Sequence, residues 1–250
     1  MTTRAEFLTR VRAEMAKTSG LFPAQPAPRP ARPREAADII RRELAERWSS
    51  TLPRFRREFE GVGGVFHSVG RRDDVAGTVT ALARERGARG LVTWHPRSLG
   101  VDVAPALTAE GLEVQVMPPV EVEPPERARL REVAARADLG VTGVDLAIAE
   151  TGTLVLRSGA GRPRSTSLLP PVHVAVLDAG ALIESLAQLA VFLESWHDGP
   201  PAVWQGANIN LITGPSRTAD IELTLTRGVH GPREVHAIFV EAGLGERDGG

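Results

Sequence analysis

Two periods of apolar and polar positions alternate along this chain. Short apolar runs at residues 61–67, 91–94, 112–117, 172–177 and 235–240 are bounded by glycine, proline or charge and predict strands. Between them, residues 73–87, 103–110, 126–137 and 181–196 carry apolar side chains at helical spacing. Asp73 or Asp74 opens the first of these helices and Gly87 follows its end. The resulting βαβα rhythm predicts an α/β fold, a three-layer, open, largely parallel sheet with helices on both faces.

Several segments depart from that rhythm. Residues 146–149 and 154–156 flank Glu150-Thr151-Gly152-Thr153 and predict two strands joined by a tight hairpin turn. Residues 159–171 read as a loop with two glycines, three prolines, two arginines and three hydroxyls. The stretch 209–241 opens with an alternating strand that Gly214-Pro215 breaks. Ser216, Arg217 and Thr218 then suit a helix start, with Asp220 and Glu222 in its first turns. A second break at 228–232 leads into the last strand.

Upstream, residues 3–18 predict an amphipathic helix with Phe7, Leu8, Val11 and Met15 on one face. Residues 20–33 hold five prolines and read as an extended linker. Helix resumes from Glu35 to about Phe59, with a break at Pro53. The expected organisation is an N-terminal helix and Pro-rich arm over residues 1–34, then one folded body over 35–250.

Composition narrows the chemistry. At 250 residues, with 42% apolar and 24% charged residues, the chain suits one large or two small soluble domains. No apolar run approaches the ~20 residues of a membrane span, and Arg4 and Glu6 argue against a signal peptide, so a cytoplasmic location is expected. Cysteine is absent, which removes disulfides, thiolate nucleophiles and iron–sulfur ligation through sulfur. Of thirty basic residues only Lys17 is lysine, which leaves little room for Schiff-base or P-loop chemistry. The six histidines show no metal spacing, and neither a Walker A nor a G-x-G-x-x-G motif occurs. No metal and no bound cofactor are therefore expected.

The formal charge of −1 conceals an asymmetry. Residues 1–57 hold thirteen basic and six acidic side chains, net +7; the remaining seventeen basic and twenty-five acidic give −8. A basic arm suits nucleic acid, anionic lipid or an acidic partner. Without aromatic interleaving, pairing with the chain's own acidic body or with a second copy in a homo-oligomer fits better than nucleic acid.

Three loops carry the candidate chemistry: 150–153, 157–167 and 213–218. Ligands of open α/β sheets bind beyond the carboxyl ends of the strands. If the loops share that rim, Arg157, Arg162, Arg164 and Arg217 offer forked donors to a carboxylate or phosphate. Thr151, Gly152, Thr153, Ser216 and Thr218 supply hydroxyls and backbone. Glu150 is a candidate base or nucleophile, or else a hairpin acid facing water. His230, in a Gly-Val-His-Gly-Pro-Arg turn, is an acid–base candidate or a turn histidine bonded to backbone. His173, within a strand, reads as a core residue. The expectation is a single anion-binding cleft with Arg162, Arg164, Ser216 and Arg217 beside Glu150.

Two long motifs carry a resemblance: VTGVDLAIAETGTLVLRSGAGRPRSTSLLPPVHVAVL from Val141 and NINLITGPSRTADIELTLTRGVHGPREVHAIFVE from Asn208. On these motifs the chain resembles the lactate utilisation protein C family, whose members consist of one LUD domain. The resemblance covers the body from about Glu35. It implies the fold type of sugar-phosphate isomerases, CoA transferases and 5-formyltetrahydrofolate cyclo-ligase. It also implies a place beside iron–sulfur partner proteins that together oxidise L-lactate to pyruvate, with this chain a non-redox subunit. The alternative is a stand-alone enzyme on a small phosphorylated or acyl, CoA-like substrate, with Glu150 reactive.

Overall fold

A computed structural model describes residues 3–17, 30–198, 208–219 and 225–245, without the side chains of 15–17, 218, 219 and 225–227. The chain divides into two units, Met1–Ala31 and Arg32–Gly250. The first contains α1 (Arg4–Lys17), close to the predicted helix. Most of the predicted linker lies outside the described residues, as do Asp220 and Glu222.

The second unit is built on a six-stranded sheet. Its strands are β1 (Val65–Val69), β2 (Gly90–Thr93), β3 (Glu113–Val116), β4 (Leu139–Gly143), β7 (Val172–Asp178) and β12 (Glu234–Val240). They lie in the order β1-β12-β7-β4-β2-β3, and every pair is parallel. The central strands are apolar on both faces, as a doubly covered parallel sheet requires. On one face α4 (Asp74–Glu85) and α6 (Ala104–Ala109) bury Val75, Val79, Leu82 and Leu107 against Leu91, Val141, Val174 and Ile238. On the other, α3 (Trp48–Gly61) brings Phe55 and Phe59 against Ala175, Leu177, Ala237 and Phe239. The helix α7 (Pro124–Arg136) packs Leu130 and Ala134 on Val92. The predicted α/β class, with a parallel sheet between helices, is what the chain adopts.

A second sheet extends this architecture. Strands β5 (Leu146–Ile148), β6 (Thr153–Arg157), β8 (Leu182–Ile183) and β9 (Ile209–Ile212) form it in the order β8-β5-β6-β9. β5 and β6 make the predicted hairpin, Leu146 facing Val155 and Ile148 facing Thr153. Ala147, Leu154 and Leu156 join the core shared with α3. Leu146, Ile148 and Val155 meet Leu44 of α2 (Pro33–Glu46) and Leu189 and Phe192 of α9 (Leu186–Trp196).

Three local expectations change. The long N-terminal helix breaks at Arg47 rather than at Pro53, which lies inside α3. The 159–171 loop holds a short helix, α8 (Ser165–Leu168). Its Thr166 carbonyl lies over Gly140 so closely that no Cβ fits there, and glycine in β4 follows from that approach. The helix expected after Gly214-Pro215 is replaced by antiparallel strands β10 (Arg217–Ala219) and β11 (Leu225–Arg227). The alternating Leu-Thr-Leu-Thr of 223–226 favours extended backbone. Among the described residues, no helix is long and apolar enough to cross a membrane.

Candidate functional site

The parallel strands give the sheet an amino edge and a carboxyl edge, and the three candidate loops divide between them. The carboxyl edge carries Trp94 and His95 after β2 and Asp145 after β4. The 157–164 segment folds over these residues. The His95 amide donates to the Gly161 carbonyl at 3.1 Å, and Trp94 Nε1 to the Pro163 carbonyl at 3.3 Å. A small antiparallel bridge between Gly159 and Arg162 fixes the loop.

Asp145 is the centre of this corner. Its Oδ2 accepts from the Arg157 amide at 2.7 Å and its Oδ1 from Arg157 Nε at 2.9 Å. Arg157 Nη2 lies 2.8 Å from the same Oδ1, and Arg162 Nη1 approaches it at 3.4 Å. Arg157 also stacks its guanidinium over Trp196 at 4.3 Å. All three charged side chains are at least nine-tenths buried, where partly desolvated charges interact far more strongly than at the surface. Arg164 is exposed at the start of α8, and its carbonyl accepts from Ser167 Oγ at 3.1 Å.

The other two loops meet elsewhere. Gly152, with φ of +62°, passes so close to Glu58 and Phe59 of α3 that any side chain would collide. Thr151, Thr153 and Thr213 form a hydroxyl chain, 2.7 Å and 2.8 Å between oxygens. Glu150 Oε2 accepts from the Leu186 amide at 2.9 Å, at the first turn of α9 where negative charge is favoured. Arg217 Nη2 donates to the Val62 carbonyl, 2.6 Å away, just past α3. Ser216 donates its amide to the Pro232 carbonyl at 2.9 Å and accepts at Oγ from the His230 amide at 3.2 Å. The His230 ring is exposed, and Thr218 lies in β10 with its side chain outside the described residues.

The predicted single cleft is therefore two separate corners. Val62 and Pro232 precede β1 and β12 at the amino edge, whereas Asp145 and His95 follow β4 and β2 at the carboxyl edge. Glu150–Thr153, Ser216, Arg217 and His230 belong to the first corner, and Arg157, Arg162 and Arg164 to the second. β6 alone separates Thr153 from Arg157 by roughly 13 Å. The reason is topological: β6 runs from one edge to the other, so the loops before and after it cannot share a rim. Asp145, His95 and Trp196 were absent from the sequence-derived candidates. Asp145 had a signal, because the hairpin register sets this acid at the strand's mouth next to Leu156 and so within one residue of Arg157.

A third polar group lies on the main sheet. His67 Nε2 is 3.0 Å from His236 Nδ1, and His236 Nε2 is 3.1 Å from Glu234 Oε2. Arg86 Nη2 reaches the same carboxylate at 2.6 Å. His173 is wholly buried, bonded through Nε2 to Thr142 Oγ1 at 2.8 Å, and burial pushes its pKa down to about 3. It is the core residue that its strand position predicted.

The LUD domain family model matches residues 52–240. A lactate utilization protein C from Halalkalibacterium halodurans is 36% identical over 170 residues, 68% of this chain and 70% of that protein. Another protein of that description, from Exiguobacterium sp., is 41% identical over 111 residues, 44% of this chain and 47% of its own length. A solved structure of a DUF162 family protein from Deinococcus radiodurans shares the fold. Its TM-score is 0.50 and its identity 24%, over 77% of this chain and 97% of that one. With the family model spanning most of the body, the chain belongs to the LUD domain family.

Proposed function

We propose that this chain is a non-redox subunit of an L-lactate utilisation system, acting with iron–sulfur partner proteins that carry the electrons. The observation behind this reading is the similarity to lactate utilization protein C over most of that relative's length. The composition agrees with it. Lactate oxidation releases two electrons that need an acceptor, and a chain without cysteine cannot ligate a cluster through thiolates. In this reading residues 35–250 are the LUD domain, residues 1–34 an arm for a partner or second copy, and the setting is cytoplasmic.

The ligand is a small anion, and its receiving groups are the carboxyl-edge arginines Arg157, Arg162 and Arg164. The position supports this, since loops beyond the carboxyl ends of parallel strands converge on one crevice. The alternative, an enzyme with a reactive Glu150, draws less support, because that carboxylate holds the start of α9. Dye-linked oxidation of L-lactate is the test, with the purified chain, with its cysteine-rich partners, and with both. Turnover only in the complete mixture is expected. Turnover by this chain alone, accompanied by flavin absorbance, would overturn the subunit reading.

A further inference from the structure

Strand β1 ends one side of the six-stranded sheet, and among the described residues no strand pairs with its outer side. The Glu241 amide donates to the Val69 carbonyl at 3.0 Å, so Val65, His67 and Val69 turn their backbone groups toward β12. The N–H and C=O of Phe66 and Ser68 therefore point away from the sheet. Such an edge is a template for another strand, and charge on the strand is a common protection. The opposite edge, β3, opens on Glu113, whereas β1 carries no carboxylate, lysine or arginine. Its sequence, Val-Phe-His-Ser-Val, repeats valine on either side of a central His67.

We propose that β1 pairs antiparallel with β1 of a second copy about a two-fold axis at His67, joining two six-stranded sheets into one. Phe66 of each copy then exchanges N–H···O bonds with Ser68 of the other, and the contact is self-complementary. Val65, 42% exposed in the single chain, is covered by Val69 of the second copy. Charge agrees with the same register on the opposite face. The Arg56 guanidinium, on a side chain 58% exposed, stands 5.6 Å over the Phe66 ring, and Ser68 Oγ donates to Glu241 Oε1 at 2.8 Å. Setting Phe66 opposite Ser68 of the second copy brings Arg56 to Glu241 of that copy, and symmetry repeats the pair. An unrelated extended peptide would use the open backbone groups alone; a second copy also matches the valines and the charges.

The test is sedimentation equilibrium of the full chain through the micromolar range, each variant first checked for a native near-ultraviolet dichroism spectrum. Wild type is expected at twice the 26.8 kDa chain mass. Ser68→Pro removes one outward N–H per copy and no bond to β12, and is expected to weaken association at least tenfold. Arg56→Glu sets carboxylates against each other in this register and is expected to weaken association by a similar factor. Combining Arg56→Glu with Glu241→Arg reverses the pair and is expected to recover most of that loss. A wild type that stays monomeric, or a dimer that Ser68→Pro leaves unchanged, overturns the proposal. If Ser68→Pro does not fold, the charge exchange decides, and a double variant no tighter than Arg56→Glu alone overturns it.

Discussion

His67 Nε2 and His236 Nδ1 lie 3.0 Å apart, so one shared proton ties the edge strand β1 to β12. Glu234 fixes which nitrogen holds which proton. Its carboxylate only accepts, so His236 carries its proton on Nε2 and accepts at Nδ1 from His67 Nε2–H. Burial is the largest cause that lowers both imidazole pKa values. The Arg86 charge lowers them further, while Glu85, and for His236 also Glu234, pull the other way. Protonating both rings would place two cations in contact beside Arg86, at the seam that holds β1. Protection factors of the β1 amides are expected to fall in wild type as the pH drops below 6.5, and to lose that pH dependence in His67→Gln. An unaltered profile in the variant would show that the pair does not control the edge.

Stability as a whole is expected to fall with acidification, and His173 gives the sign. Its folded pKa, about 3, lies below the ordinary 6.5, so unfolding takes up a proton throughout that interval. The contribution is fully present above pH 6.5 and is lost as pH falls toward 3. Each pH unit in this window removes about 1.4 kcal/mol for one such histidine. Urea denaturation of wild type and His173→Gln between pH 7 and 4.5 should give a shallower slope for the variant. Parallel slopes would rule His173 out as the source.

Gly140 sits directly beneath the Thr166 carbonyl, with no room for a methyl group. Gly140→Ala must push α8 off β4, and a cost of about 3 kcal/mol is expected from overpacking a buried contact. A drop in the urea midpoint at unchanged slope would measure it. A loss below about 0.5 kcal/mol would mean that α8 moves freely.

Arg217, first expected to bind the anion, donates to the carbonyl of Val62 beyond the end of α3, where positive charge is favourable. We expect Arg217→Ala to leave anion affinity unchanged and to lower stability by about 1 kcal/mol. Titration with L-lactate and chemical denaturation of the same preparation separate the two effects. A large loss of affinity with stability intact would return Arg217 to the binding site.

Arg157 is the most constrained charge at the carboxyl edge. Arg157→Ala removes the close partner of buried Asp145 and should cost about 3–5 kcal/mol. Trp196→Leu, which keeps the ion pair and removes the stacked ring, should cost about 1 kcal/mol. Denaturation midpoints of the two variants and their double mutant give the coupling. Simple additivity would mean that ring and ion pair do not support each other.

The sequence by itself determined the class of fold, because period-2 and period-3.6 patterns are local and survive in any tertiary setting. The runs at Leu91, Val172 and Val235 became central parallel strands, and Asp74–Glu85 and Pro124–Arg136 became the helices that cover them. Glu150–Thr153 formed its hairpin turn because glycine adopts a positive φ there without strain. Family membership was legible in two long motifs for the same reason. Patterning could not say which edge of the sheet each loop reaches. That depends on strand direction, and on β6 crossing from the corner of Thr153 to the corner of Arg157. The tertiary structure therefore decided that Arg217 ties the end of α3, that Glu150 holds the start of α9, and that Arg157 and Arg162 converge on Asp145. Asp145 reaches Arg157 through the β5–β6 hairpin, whereas only packing of α9 against the hairpin brings Trp196 there. A partner as distant as Trp196 is for Arg157 is a property of the folded neighbourhood, and no spacing along the chain encodes it.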